Sequence, residues 1–556
     1  DRERQQIWMK RAIGMGWVIA ASGLTACSGV TDCKEDGEAC AAMLNANGQT
    51  CAEAFTLKHS ERKRKYCEHA IDVVGDQGVE SAVPGLSAIV KTPHTNTPDD
   101  NHVQAAAKAL GKIGSSKAVP ALVAAIDYDA GTSSDPQDKM ANRANEEIAE
   151  ALGDIGSEEA VEPLLKLVDR SRDNHVVLKA VRALGEIGSS KAIEPIEQIA
   201  LEHNNKFMRK NAVIALGNIG DPKATDTLIK MMFIEYQGVS FYREASFALF
   251  QVGPATTDAL LETMALENEE VNAIFEKTGG LKESAIKAKC GFVLADLRDE
   301  RAIEPLIEAF KEAAEKGDPV VLGYTAPPLG ALEAKAAIPA LMEQMKTIDQ
   351  SLRDPMMRAL VMIGDRTPVP EMIQLMTRAD FLEKCTDLGA SKEACLAEKE
   401  AFRGALESAA DHASNLAGAQ HVELYQGVAE GAEDEKLKEY FGERLVRVQA
   451  AAECKENASC WADKLKSDDD LLREKAAWEL KRLEDPSTVE ALAAALGDKD
   501  RETRYAAIYA YWDYGTPDAI DRIEQVLEDE EGSADYVRVN EDLKRLLVHL
   551  KREKGS

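Results

Sequence analysis

The segment Ala109-Leu110-Gly111-Lys112-Ile113-Gly114 returns as Ala151-Leu152-Gly153-Asp154-Ile155-Gly156, as Ala183-Leu184-Gly185-Glu186-Ile187-Gly188, and as Ala215-Leu216-Gly217-Asn218-Ile219-Gly220. Small or apolar residues fall at i, i+3, i+4 and i+7, as in Ala106, Ala109, Leu110, Ile113 and in Ala180, Ala183, Leu184, Ile187. That is one face of an α-helix. The closing glycine predicts a left-handed C-cap. A short polar link follows, then a second helix of the same period: Val119, Leu122, Val123, Ile126; Val161, Leu164, Leu165, Val168; Ile303, Leu306, Ile307, Phe310. Its first turn carries Pro120, Pro163, Pro195, Pro305 or Pro339, where a missing N–H is harmless.

Weaker copies centre on Ile71, Leu249, Leu294, Leu329, Leu360, Leu480 and Tyr511, which makes eleven units. The regular spacings are 32, 32 and 33 residues, with 31 near the C-terminus. One such hairpin cannot bury its apolar face alone, so neighbours must stack. The expected fold is all-α: a solenoid of about eleven helical hairpins, a curved rod on the order of 100 Å long. Ala106, Ala180 and Ala212 permit close helix approach, and Cys290 holds the same small position. It is therefore expected to be a buried, inert thiol. A solenoid offers an extended concave groove lined by one helix of each repeat. If the glycine-terminated helices line it, Lys112, Lys179, Arg182, Glu186 and Asn218 form its exposed surface.

The pattern resembles HEAT repeats of the short type named in phycobilisome lyases, over residues 68–380 and 455–540. The resemblance implies a basic ladder that steadies the stacking, filled here by Arg209, Lys287, Arg353, Arg473 and Arg504 and lost at Val103, Asn145, Val177, Tyr242 and Leu322. It also implies aspartate partners near the preceding helix end, for which Asp349, Asp469 and Asp500 stand in position. Lyases with such repeats raise the option of bilin attachment, although the generic repeat carries no chemistry by itself.

With 97 acidic and 67 basic residues the formal charge is −30. Nucleic-acid phosphates would be repelled, which excludes them as the main partner. The apolar share of 45% excludes wholesale disorder.

The N-terminal region reads as an export signal: Met9-Lys10-Arg11, then the apolar run Ala12 to Gly23, then Leu24-Thr25-Ala26-Cys27. Residues 1–8 lack that character and read as lying upstream of a start at Met9. Leu24-Thr25-Ala26-Cys27 resembles the lipobox of bacterial lipoproteins. The resemblance implies lipidation at Cys27, and Ser28 implies sorting to the outer membrane, periplasm-facing. Loss of residues 1–26 removes four basic and two acidic residues and leaves a charge of −32, so contact with lipid is expected through the anchor alone. Export fits the remaining cysteines as disulfides: Cys33, Cys40, Cys51 and Cys67 in unspecified pairing, Cys385 with Cys395, and Cys454 with Cys460. A thiolate metal site in 33–67 is the rival reading, but the spacings of 7, 11 and 16 are wide for zinc.

The resulting organisation is a signal at 1–26, a lipidated cysteine-rich head at 27–67, and repeats at 68–380. An irregular helical module follows at 381–454, then repeats and a capping helix at 455–556. The head, with its basic run Arg62-Lys63-Arg64-Lys65, is expected to be a disulfide-pinned hairpin over the first repeat. Residues 127–145 are expected to be a solvated loop, with only a faint likeness to a calcium loop. The module at 381–454 reads either as a site of specific function or as two degenerate repeats. No catalytic, phosphate-binding, dinucleotide or haem motif is found. The histidines, among them His94, His102, His175, His412 and His421, are expected at the surface. The sequence therefore points to a membrane-anchored scaffold for a protein or peptide partner, not an enzyme, with no metal or cofactor. The alternatives are a lyase-like enzyme using 381–454, or a structural spacer of the envelope.

Overall fold

The computed structural model describes residues 30–55, 61–92, 101–132, 134–278, 283–347, 353–377, 392–432, 434–530 and 537–555. Cys27, Asp349 and Cys385 lie outside the described residues, as do His94 and the side chain of Cys395. The chain divides into two compact units, the first ending at Ala192 and the second beginning at Ile193.

Unit 1 comprises α1 (Gly37–Ala54), α2 (Glu61–Asp76), α3 (Val83–Val90), α4 (His102–Ile113), α5 (Val119–Ala125), α6 (Pro136–Ile155), α7 (Val161–Arg170) and α8 (Asn174–Ile187). The predicted hairpins are present. Gly114, Gly156 and Gly188 end α4, α6 and α8 with φ of +69°, +68° and +75°, the left-handed conformation. A single 3-10 turn then leads into each second helix. Aspartates start the helices: Asp135 accepts from the backbone N–H of Gln137 (2.8 Å), and Asp173 from that of His175 (2.8 Å). Asp135 thereby begins α6 at Pro136, so residues 136–145 are helical and not the solvated loop expected there. The true loop, 127–132, is closed by Asn145, which pairs with both the N–H and the carbonyl of Asp127 (3.0 and 2.8 Å).

The motif glycine acts in packing as well. A Cβ on Gly111 would lie 2.9 Å from Cα of Ala151, and one on Gly153 would lie 2.9 Å from Cα of Ala183. Successive first helices thus meet backbone to backbone, which no side chain permits. Gly153→Ala is expected to destabilise by about 1–3 kcal/mol through overpacking, outweighing the gain of about 1 kcal/mol in helix propensity. Gly404→Ala, where a Cβ meets nothing within 4 Å, is expected to stabilise by up to about 1 kcal/mol. Paired urea titrations of the two variants check the opposite signs.

At the start of unit 1, Cys33 is bonded to Cys40 and Cys51 to Cys67. The second bridge ties α1 to α2. The basic run forms the first turn of α2, where Lys65 pairs with Glu61 of its own helix (2.9 Å).

Unit 2 opens with α9 (Ile193–Glu202), α10 (Lys206–Ile219), α11 (Thr225–Phe233) and a two-stranded hairpin, β1 (Glu235–Tyr236) with β2 (Val239–Ser240). It continues with α12 (Tyr242–Val252), α13 (Thr257–Met264), α14 (Glu269–Thr278), α15 (Glu283–Asp296), α16 (Ile303–Lys316), α17 (Pro319–Ala331), α18 (Ile338–Thr347), α19 (Asp354–Ile363) and α20 (Val369–Leu375). Next come α21 (Lys392–Leu416), α22 (Val422–Glu430), α23 (Glu435–Cys454) and α24 (Ala458–Lys464). The unit ends with α25 (Asp470–Leu483), α26 (Val489–Ala495), α27 (Arg501–Tyr514), α28 (Ile520–Asp529) and α29 (Val537–Gly555). The described part of the stretch read as an irregular module, from residue 392, forms α21, α22 and α23, so that α21 pairs with α22 and α23 with α24 just beyond the stretch. They stack between α19–α20 and α25 without interrupting the row. Cys454 is bonded to Cys460 across the turn into α24.

Unit 2 departs from an open groove. Its first helices α12, α15, α17, α19, α21, α23, α25, α27 and α29 form a row in which each touches the next, and α29 returns to α12. Arg552 donates to the carbonyls of Phe250 and Gln251, and Arg545 meets Asp296 at 2.8 Å. Across the row Arg358 meets Glu502 (3.2 Å), Lys481 meets Glu333, and Tyr505 donates to Sδ of Met362 (3.7 Å). The face expected to line a concave groove is therefore covered by the chain's own later helices from α12 onward.

Candidate functional site

Two surfaces remain. The first is the exposed side of the first helices in unit 1. Lys112 pairs with Asp76 of the preceding repeat (2.5 Å), and Lys179 pairs with Glu150 of its preceding repeat. Arg182 and Glu186 are exposed beside them. Burial raises the pKa of Glu147, Asp154 and Glu186, partly offset by nearby Lys108, Lys179 and Arg182 in turn. Four of the five proposed surface residues thus belong to unit 1. The fifth, Asn218, is exposed in unit 2 and accepts a hydrogen bond from Gln251 (3.0 Å).

The second is the interior of unit 2, where two cavities open at opposite ends of the inner helices. One, about 670 Å³, lies at the C-terminal ends of α19 and α25, among Glu333, Arg366, Lys481 and Arg482. Beside it Glu479 receives Lys475 (2.7 Å), Arg366 (2.8 Å) and Arg482 (2.9 Å). Burial alone would raise the carboxyl of Glu479, but these three cations outweigh it and bring its pKa to about 2. Lys475 is fully buried, and its ammonium also donates to the carbonyls of Asn415 (2.6 Å) and Ala417 (2.8 Å).

The other cavity, about 420 Å³, lies at the N-terminal ends of α19, α25 and α27, against α21 and α23. His412 and Ser408 both bond Oδ1 of Asp354 (2.9 and 2.7 Å). The His412 bond is the largest of the causes holding the Asp354 carboxyl well below its ordinary range, against the opposing effect of burial. Ser408 donates to the carboxylate, not to the imidazole, so His412 does not activate it as a nucleophile. Asp411 gathers Tyr440 (2.5 Å), Arg444 (2.9 Å) and Arg447 (3.1 Å), and Arg447 also grips Glu474.

Two sets of carboxylates should respond oppositely to acid. Glu479 and Asp354 have folded-state pKa values below their unfolded ones. Their contribution is present above about pH 4.5 and is lost as pH falls toward 2. Glu147, Asp154 and Glu186 are raised, so their contribution is present in acid and lost as pH rises through the folded values. Amide exchange at pH 3 is expected to show α25 deprotected before α6 and α8. The reverse order would contradict this assignment.

The ladder residues pair differently from expectation. Asp469 and Asp500 cap α25 and α27, accepting from the N–H groups of Leu471 (2.9 Å) and Thr503 (2.7 Å). One oxygen of each thus accepts from the helix start, and the ladder pairs with acids of the following segment. Arg473 makes a two-pronged contact with Asp498 (2.8 and 3.0 Å), Arg504 meets Glu530 (2.7 Å), and Lys287 meets Glu312 (2.6 Å). Arg209 lies 3.9 Å from the ring centre of Tyr236 and donates to the carbonyl of His203 (2.6 Å). Arg353 is buried at the start of α19.

Three histidines expected at the surface are buried. His102 packs beside Phe55, His412 binds Asp354, and Nδ1 of His421 accepts from the N–H of Gly418 (3.0 Å). His175 is exposed. Cys290 is a free, fully buried thiol whose pKa is pushed up by burial. Among the described residues no group of three or more potential metal ligands is found, and no helix is long and apolar enough to cross a membrane.

A family model described as HEAT repeats matches residues 138–205, 178–235 and 461–538, and one described as PBS lyase HEAT-like repeat matches 104–128 and 286–312. No curated protein matches the chain. Among solved structures, human deoxyhypusine hydroxylase is 19% identical over 52% of this chain and 98% of that chain, with a TM-score of 0.22. The CpcE–CpcF complex of phycocyanin lyase from Nostoc is 20% identical over 45% of this chain and 84% of that chain, with a TM-score of 0.26. Yeast importin-beta is 11% identical over 92% of this chain and 81% of that chain, with a TM-score of 0.41. This chain carries HEAT repeats in both of its units, PBS-lyase-type repeats among them.

Proposed function

We propose that this protein is a lipid-anchored scaffold of the bacterial envelope that binds a protein partner along the exposed first-helix side of unit 1. The observation that carries the reading is the contrast between the units. In unit 2 the equivalent side is occupied by the chain itself from α12 onward, whereas in unit 1 it presents Lys112 on α4 and Lys179, Arg182 and Glu186 on α8. Such a surface spreads affinity over many polar contacts. Anchoring rests on the Leu24-Thr25-Ala26-Cys27 segment, and the disulfides support an oxidising compartment.

The test is an affinity pull-down from native envelopes with wild type and with Lys179→Glu/Arg182→Glu. A partner retained by wild type and lost by the variant is the expected result. Equal retention by both overturns the assigned surface, and retention by neither overturns the scaffold reading. Incorporation of a fatty-acid analogue is expected to depend on Cys27. Labelling that persists in Cys27→Ser would overturn the anchor.

A further inference from the structure

We propose that the 670 Å³ cavity at the C-terminal ends of α19 and α25 binds a carboxylate with an apolar body, for which the chain's own Glu456 is the competitor. This inference is independent of the scaffold reading, which concerns unit 1.

Two guanidiniums that line the cavity are fixed from behind. Buried Glu479 accepts from Nη2 of Arg366 through both oxygens (2.8 and 2.8 Å) and from Nε of Arg482 (2.9 Å). Gly418 lies flat against Arg366, so that a Cβ there would stand 2.7 Å from Cζ of the guanidinium. The edges left over converge on one carboxylate. Nη1 of Arg366 donates to Oε1 of Glu456 (3.2 Å) and Nη2 of Arg482 to its Oε2 (2.7 Å). One charged donor for each oxygen is a carboxylate-recognition geometry. Glu456 itself is loosely placed. It stands on the turn between α23 and α24, with its side chain 61% exposed. An ion pair with so exposed a member holds weakly, so a carboxylate from outside can take its position without adding charge to the site.

A second observation points the same way: further donors at this cavity lack acceptors. His421 lines it and is 8% exposed. Its Nδ1 accepts from the N–H of Gly418 (3.0 Å), and burial, with Arg366 and Lys475 nearby, lowers its pKa. The ring is therefore neutral and carries its proton on Nε2. Among the described residues that N–H meets no acceptor, nor does Nη1 of Arg482 or the exposed ammonium of Lys335. Of the acids in the lining, Glu333 is taken by Lys481, Asp365 accepts from the N–H of Thr367 (2.8 Å), and Glu484 is exposed at the rim. A carboxylate brings acceptors and no donor. Lys481 and Arg482, in the last turn of α25, offset the negative end of that helix. Val361, Ile363, Pro370 and Trp478 supply apolar wall for the ligand's body, and the volume is that of a small-molecule pocket.

Calorimetric titration of the full chain would use phenylacetate, a free acid, and N-acetylphenylalanine, which reproduces the last residue of a peptide. Phenylacetamide and N-acetylphenylalanine amide are the uncharged controls. At least one acid is expected to bind at one site per chain, and neither amide to bind. Binding by N-acetylphenylalanine assigns the ligand to a peptide C-terminus, and binding by phenylacetate alone assigns it to a free acid. Glu456→Gln, a change at an exposed side chain, is expected to tighten binding at least threefold. Glu304→Gln removes the same charge from an exposed position on α16 and is expected to leave binding unchanged. Absence of binding by both acids, to wild type and to Glu456→Gln alike, overturns the proposal. So does binding of the amides as tight as that of the acids. A Glu456→Gln protein that binds no more tightly than Glu304→Gln also overturns it, because Glu456 would then not hold the ligand's position.

Discussion

Arg447→Ala is expected to lower the stability of unit 2 by about 3–5 kcal/mol, the cost of removing one member of a buried ionic network. The side chain is 2% exposed and holds Asp411, Glu474, Ser414 and the carbonyl of Leu471 together. Alanine leaves Glu474 without its charge partner, in a position where burial already raises its pKa. It also takes one of two guanidiniums from Asp411. The expected loss therefore comes mainly from stranded carboxylates and less from the attraction itself. Replacing both partners, as in Arg447→Met/Glu474→Met, is expected to cost less than the single change. Urea unfolding followed through the buried Trp478 measures both. A loss below about 1 kcal/mol for Arg447→Ala, the size of an exposed pair, would show that the network is solvated.

The second large effect concerns closure of unit 2. Ending the chain at residue 536 removes α29, in which Val539 is 2% exposed and Leu543, Leu546 and Leu550 are 0% exposed. At about 1.5–3 kcal/mol for each buried side chain, the lost burial is about 6–12 kcal/mol. Asp296 also loses Arg545, and the end of α12 loses Arg552. Amide exchange in α12 and α15 is expected to rise by several orders of magnitude. Unchanged exchange there, with deprotection confined to α27 and α28, would make α29 a simple end cap and refute the closed row.

These effects could not have been anticipated from the sequence in equal measure. The hairpins were legible because their signals are local. Apolar spacing, an aspartate or asparagine at the helix start, and the αL glycine all act within one turn or two. The helix pairs at 392–464 were harder to recognise. Their first helices are 25 and 20 residues long and lack the Ala-Leu-Gly signature, although Gly418 is followed by the same 3-10 turn as in the clear repeats. The charged interior was hidden for another reason. Lys475 and Glu479 stand four apart on α25, as an ordinary surface pair would, and only the surrounding helices bury them. His412 finds Asp354 from 58 residues away. No spacing rule connects the two.

By itself, the sequence determined that this chain is a stack of helical hairpins and, in the clear repeats, where the first helix stops and which stripe it turns to its neighbour. Tertiary structure alone decided which first-helix sides stay open. Closure sums the small rotation of every repeat and is fixed by contacts such as Arg552 with Phe250, 302 residues apart. A local pattern encodes each step of that sum but not its total, so the chain's own helices cover one surface and leave another free.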